Sequence, residues 1–360
     1  MLDKKVGIIT FHDSRNYGAV LQTYALQQKI SELFRNVEII DYQNEEIAGI
    51  LKLWNYSGGG LKPLLCAVPT FFFRAKKKSA FDKYIAEYLH LSKKITQQNI
   101  QTETEKYDIL ITGSDQVWNT ALTAHDMHYF LDFASNTQCR TAYAASFGDR
   151  KILLDDTIKK LLGKLDIVTL RETLMLEEVK KFVTVQPTTC CDPTLLLTVE
   201  QWKRQISPSP LKKPYVFLFM IDRSRLLEQY AEKLASENGL KLISNKNDIS
   251  FLCHAKPNDF LSWIYHANYV ITNSFHGSVF SILFHKQFVS YPYYNNGKPR
   301  SRISELLQDT GLTHRTANNL SFQPACPEDW NSIDEKIHSM RTTSWNAFTQ
   351  AFEMYFKEEF

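Results

Sequence analysis

His276 stands in the polar turn Asn273-Ser274-Phe275-His276-Gly277-Ser278, between the apolar run Tyr269-Val270-Ile271-Thr272 and a second apolar stretch. That pattern predicts a strand, a tight loop and the first turn of a helix. Unpaired N–H groups in a first helical turn and the helix dipole both favour negative charge, so an imidazole there sits beside an anion site. A lone histidine is by default a half-buried structural group bonded to a carbonyl; the helix start and the neighbouring glycine move His276 towards chemistry. Asp115, in Gly113-Ser114-Asp115-Gln116-Val117-Trp118-Asn119, is either a helix N-cap or an acid–base group, and the two roles are compatible. Arg171, followed by Glu172, is a candidate for a site or an ordinary surface pair contributing about 0–1 kcal/mol.

The elements that carry these residues read as alternating strands and helices. Val6 to Phe11, Val37 to Tyr42, Tyr107 to Thr112, Thr141 to Gly148 and Ile167 to Glu172 are short apolar runs. The first runs into a polar loop and then helical spacing from Ala19, which makes a βαβ unit and implies a parallel sheet. Pro208, Pro210 and Pro214 mark a linker over 198–214. A second α/β block follows, with strands at 215–219, 240–243, 269–272 and 287–291, and a helical tail from Glu328 expected to pack back on the first domain. The predicted organisation is a first domain over 1–197 with a helical insertion at 47–96, the linker, a second domain over 215–327, and a helical segment over 328–360.

In open parallel sheets ligands bind beyond the carboxyl ends of the strands. That rule selects the loops holding Asn16, Ser114 with Asp115, Arg171, and Ser274 to Ser278, together with Arg300, Arg302 and Arg315 after Tyr291. The turn Asn295-Asn296-Gly297 predicts a mobile loop ahead of those arginines.

Composition narrows the class. The 360 residues suit two domains of ordinary size, and 44% hydrophobic with 13% aromatic residues supplies packed cores. A net charge of +3 argues against a broad nucleic-acid surface. The six cysteines lack metal or disulfide spacing, which suggests reduced thiols in a cytoplasm. The N-terminus is too short in apolar residues for a signal peptide, and no stretch of about 18 apolar residues predicts a membrane span. The run Leu64 to Phe73 beside Arg74 and Lys76 to Lys78 is read either as a helical cap with solvated lysines or as a surface for an anionic membrane. His125 and His128 are weak metal candidates without a third ligand.

Taken in order, GIITFHDSRNYGAVLQTYALQ, YDILITGSDQVWN, AYAASFG, LRE at 170–172, CDPTLLL, ITNSFHGSVFSILFHKQF and SRISELLQDTGL, with Arg315 following, resemble the polysaccharide pyruvyl transferase family. The resemblance implies two Rossmann-like domains facing a cleft, of the glycosyltransferase-B type. It also implies transfer of pyruvate from phosphoenolpyruvate onto two hydroxyls of a sugar as a cyclic ketal, in bacterial surface polysaccharide biosynthesis. Galactose bridged at O4 and O6, free or linked to a lipid diphosphate at the inner face of the cytoplasmic membrane, is the family-guided acceptor. Such chemistry requires neither metal nor redox cofactor. His276 with the N–H groups of Gly277 and Ser278, helped by Ser274, would hold the donor phosphate. Arg171 would pair with donor carboxylate or phosphate, with Arg302 and Arg315 as further donor contacts. Asp115 would be the base towards the acceptor hydroxyl or the acid for the methylene, with His276 the alternative proton donor; Asn16, Ser114 and Trp118 would face the acceptor. Where related sequences have TDSFHG, Asn273 replaces the acid, so no carboxylate role falls there. The alternatives are a nucleotide-sugar-dependent glycosyltransferase of the same fold and a non-catalytic carbohydrate-binding scaffold.

Overall fold

Val6, Ile8 and Ile9 of strand β1 (Leu2–Ile9) are buried on both faces, as expected of a central strand in a parallel sheet covered on both sides. In this computed structural model, which describes residues 2–44, 64–149, 152–253, 255–293, 300–317 and 328–356, β1 lies between β2 (Phe34–Gln43) and β4 (Ile109–Thr112). With β3 (Leu91–Thr96), β5 (Cys139–Ala145), β6 (Ile167–Leu170) and β7 (Thr188–Thr189), these form a seven-stranded sheet. Its order is β3-β2-β1-β4-β5-β6-β7, and every pairing is parallel. A second parallel sheet of four strands, in the order β11-β10-β8-β9, comprises β8 (Tyr215–Phe219), β9 (Lys241–Ser244), β10 (Tyr269–Thr272) and β11 (Gln287–Ser290).

All the strands expected from apolar runs are present, and β3 and β7 are additions. In β3, Lys93 and Lys94 are exposed and break the apolar pattern, a common way to protect a sheet edge. β7 is too short to leave a pattern.

The chain divides into two compact units, one made of Met1–Leu61, Ile85–Leu196 and Ser339–Phe360, the other of Lys62–Tyr84 and Leu197–His338. In the first, the end of the helix Trp330–Tyr355 closes one face of the large sheet. Phe348 and Phe352 are fully buried there, with Phe348 edge-on to Tyr143 at 4.8 Å and Phe352 edge-on to Phe34 at 5.6 Å. The tail therefore packs on the first sheet, as its spacing predicts. The second unit is built around an aromatic core in which Phe217, Phe251 and Trp263 pack ring to ring.

The helix Leu64–Tyr88 carries the apolar and cationic run, whose side chains from 64 to 74 lie outside the described residues, as does the turn at 295–297. Beyond them, Lys77 lies over the Phe81 ring at 5.3 Å and Lys78 bonds Asp82 at 3.0 Å along the same helix. Among the described residues no helix is long and apolar enough to cross a membrane.

Candidate active site

Each sheet has one place where the strand order reverses. In the large sheet successive strands run outwards from β1 to β3, and β4 returns to the other side of β1; in the small sheet β10 returns beside β8. Crevices open at such switch points, beyond the strand ends. The loops that flank them are those after β1 and β4 in the first unit, and those after β8 and β10 in the second.

The loop after β4 holds Asp115 in a fixed backbone setting. Gly113 has φ of 108°, and a Cβ there would lie 2.4 Å from the carbonyl oxygen of Tyr143 in β5, so only glycine fits. Ser114 is fully buried; its hydroxyl donates to the Ala144 carbonyl at 2.9 Å, and its own carbonyl accepts from the Thr10 hydroxyl at 3.1 Å. Asp115 follows in the left-handed region, φ 67°, which aspartate tolerates better than most residues. Its Oδ1 accepts from the Gln116 N–H at 2.8 Å and faces Arg171 Nη2 at 3.4 Å.

Arg171 leaves β6 and reaches two carboxylates. Its Nη1 bonds Asp192 Oδ2 at 2.8 Å, while Asp192 Oδ1 accepts from the backbone and hydroxyl of Thr194 at 2.9 and 2.6 Å. Asp192, itself buried, is thus fixed by three donors and fixes the guanidinium in turn. Glu172 is no surface partner: it is buried and accepts the Phe147 N–H at 2.8 Å. Arg171 thus lies between two carboxylates, Asp115 and Asp192.

Across the same crevice, the loop after β1 carries His12, whose Nε2 lies 3.0 Å from Asp41 Oδ1 at the end of β2. Burial pushes the Asp41 carboxyl up, but the hydrogen bond and charge of His12 outweigh it, and the carboxyl sits below its ordinary value. Asn16, exposed at the head of the helix Tyr17–Ile30, caps it by accepting the Gly18 N–H at 3.0 Å.

The crevice of the second unit is cationic. Asn273 clamps the loop after β8, accepting from the Ile221 N–H and donating to the Asp222 carbonyl at 2.8 Å each. A carboxylate could do only the first of these, which is the physical content of the asparagine at this position. Lys246 Nζ donates to the Ile221 carbonyl at 2.8 Å. Burial lowers its pKa, Asp222 opposing and Arg223 adding to that effect. Arg300 pairs with Asp222, and Arg302 lies over the Phe275 ring at 5.9 Å. His276, buried, is the second residue of the helix Phe275–Leu283, its ring 5.2 Å from that of Phe275.

A family model described as polysaccharide pyruvyl transferase matches residues 16–296. The chain belongs to the polysaccharide pyruvyl transferase family. Among solved structures, this transferase is similar to a UDP-GlcNAc 2-epimerase from Neisseria meningitidis bound to UDP-GlcNAc, at 8% identity and a TM-score of 0.47, over 99% of this chain and 100% of that one. It is also similar to an O-GlcNAc transferase from Thermobaculum terrenum, at 12% identity and 0.42, over 99% and 67% of the two chains. An ADP-heptose heptosyltransferase II from E. coli gives 10% identity and 0.36, over 94% and 99%. No curated protein matches the sequence.

Several residues expected to face ligands in the transferase have work inside the fold instead. Trp118 is fully buried, stacked on Phe130 at 5.4 Å, with its indole N–H on the Tyr129 carbonyl at 3.0 Å; it is core rather than a sugar platform. Ser114 is consumed by the β5 backbone as described. Ser278 is fully buried between the Ser274 carbonyl at 3.0 Å and the Ser290 hydroxyl at 2.7 Å. The two N–H groups assigned to phosphate are also occupied, Gly277 by the Ser274 hydroxyl at 3.2 Å and Ser278 by the Ser274 carbonyl at 3.0 Å. Gly277 is glycine because a Cβ would lie 2.5 Å from Thr272 Oγ1, a packing reason that the reading of the turn did not contain. Arg315 is fully buried, bonds Glu328 at 2.5 Å and lies over Phe288 at 5.8 Å. Residues that the reading passed over are His12 with Asp41, Asp192 and Lys246. Asp192 lies in CDPTLLL and His12 in GIITFHDSRNYGAVLQTYALQ, but nothing in either stretch set them apart.

Proposed function

We propose that the protein transfers pyruvate from phosphoenolpyruvate onto two hydroxyls of a galactose residue, forming a ketal across O4 and O6 of a surface polysaccharide or its precursor. The family match over 16–296 carries this reading, and the chemistry of the two crevices supports it. Phosphoenolpyruvate brings a phosphate and a carboxylate, both anions. Lys246, Arg302 and His276 in the second unit are of the type that binds them, each charge-assisted bond contributing about 1.5–3 kcal/mol. Protonation of the methylene and removal of hydroxyl protons require positioned acid–base groups, worth about 10²–10⁴-fold in rate. In the first unit Asp115 is such a group: among the described residues its contacts all fall on Oδ1, so Oδ2 is the oxygen offered to a hydroxyl. Arg171, engaged by Asp192, orients Asp115 rather than holding the donor. His276 is the candidate to deliver the methylene proton.

Incubation of the protein with phosphoenolpyruvate and a panel of free and lipid-linked galactosides, read by mass spectrometry and phosphate release, tests the reading. A pyruvyl ketal with stoichiometric phosphate is expected. Failure of every galactoside together with turnover of a nucleotide sugar would replace it with glycosyl transfer.

A further inference from the structure

The donor's phosphate needs a cation, because the Gly277 and Ser278 N–H groups at the head of the helix Phe275–Leu283 are already taken within the fold. We propose that Lys246 is the phosphate contact of the second unit. The proposal rests on the reading of phosphoenolpyruvate as donor, and assigns one of its two anionic groups to one side chain.

Position is the first argument. β8 lies between β9 and β10, and the loop after β8 is gripped from both sides at the carboxyl ends of the strands, where ligands bind. From the β10 side, Asn273 holds the Ile221 N–H and the Asp222 carbonyl. From the β9 side, Asn245 holds the N–H and the carbonyl of Met220 at 2.9 Å each. Lys246 follows Asn245 and reaches the Ile221 carbonyl at 2.8 Å, which brings its ammonium to the loop that flanks the β8/β10 switch point. The residue remains partly exposed.

Charge is the second argument. An ammonium has three N–H groups, and the Ile221 carbonyl takes one of them. Among the described residues no carboxylate pairs with Lys246: Asp222, whose charge favours the ammonium, is bonded to Arg300. Arg223, which bonds the Asn247 side chain in the loop after β9, adds a second positive charge beside it. A partly buried cation without an ion pair is costly, and an anion in the crevice offsets that cost. A single ammonium is a compact point charge that suits phosphate, whereas a planar carboxylate is matched by the fork of an arginine. A clamp on the loop is the weaker account. Asn273 and Asn245 already hold that loop, and a neutral donor would serve the Ile221 carbonyl without desolvating a charge.

The test uses full-length wild type and Lys246→Gln, which keeps a neutral donor for Ile221 and drops the charge. Each is measured for melting temperature without ligand and, by calorimetry, for the Kd of inorganic phosphate, phosphoenolpyruvate and pyruvate, the last a carboxylate without phosphate. KM for phosphoenolpyruvate is read in the galactoside assay. Lys246→Gln should melt at or above the wild-type temperature, lose about 10–100-fold in affinity for phosphate and phosphoenolpyruvate, and raise KM for phosphoenolpyruvate by a similar factor. Its affinity for pyruvate should hold. Unchanged Kd for phosphate and phosphoenolpyruvate overturns the proposal alone. So does an equal or larger loss for pyruvate, which would move Lys246 to the carboxylate, and so does a loss that comes with a lower unliganded melting temperature, the mark of a clamp. Phosphate binding that depends on Lys246 in a wild type that forms no ketal from any galactoside supports the anion site and overturns the donor reading. Wild type that binds neither phosphate nor phosphoenolpyruvate overturns both.

Discussion

Arg171 governs how Asp115 is presented, because its second nitrogen group is the one side-chain contact that holds the carboxylate in place among the described residues. Removing a partner from a buried charge pair leaves the other uncompensated, at a cost of about 3–5 kcal/mol. Arg171→Met should therefore lower the melting temperature sharply. Arg171→Lys keeps the charge but cannot fork, and should retain most of the stability while kcat falls at least about tenfold. Equal kcat in the lysine variant and wild type would show that Asp115 needs no such orientation. Trp118 separates core from sugar contact in the opposite way. Trp118→Phe should cost about 1–3 kcal/mol through lost volume and the indole bond to Tyr129, with the acceptor KM unchanged in steady-state assays. Asp41 gives a pH signature. Its folded pKa lies below the ordinary 3.8, so the stability it contributes is present above that value and is lost as pH falls through the lower folded one. Melting temperature should fall less steeply below about pH 4 in Asp41→Asn than in wild type.

At the scale of elements, the two motif glycines differ in what blocks a side chain. At Gly113 the obstacle is backbone, the Tyr143 carbonyl 2.4 Å from an added Cβ, and φ is positive as well. At Gly277 it is the Thr272 hydroxyl at 2.5 Å, a side chain at the end of β10. Gly113→Ala should yield little folded protein. Gly277→Ala should cost about 1–3 kcal/mol, and Thr272→Ala should relieve part of that in a double-mutant cycle read by thermal melts. These positions also show what the sequence could and could not disclose. Apolar runs located the strands, and the loops at their carboxyl ends followed, because burial on both faces writes a continuous pattern. The switch points did not follow, since strand order is a property of pairing between distant segments. Nor could pattern tell that Ser278 is spent on Ser290, or that Trp118 is stacked on Phe130, because a hydroxyl or an indole looks the same whether it meets protein or ligand. His12 and Asp41 lie 29 residues apart and meet only because β1 and β2 pair in register.

At the scale of the whole molecule, the tail of the chain reaches the Asp115 loop through a short line of contacts. Phe348 is fully buried and edge-on to Tyr143 at 4.8 Å, and the Tyr143 carbonyl is the wall against which Gly113 turns to deliver Asp115. Truncating a buried phenylalanine to alanine typically costs about 3–5 kcal/mol, part of it for the cavity left behind. Phe348→Ala should therefore do more than lower the melting temperature. Because the first sheet carries Phe348 in its core while the second unit has a core of its own, amide hydrogen exchange should quicken in β1, β4 and β5 and stay unchanged in β8, β10 and β11. If Tyr143 transmits the loosening to the Asp115 loop, kcat should fall while the KM for phosphoenolpyruvate holds, since Lys246, Arg302 and His276 belong to the unaffected unit. Uniformly faster exchange in both sheets would show instead that the units do not open independently, and that the tail supports the molecule as a single cooperative body.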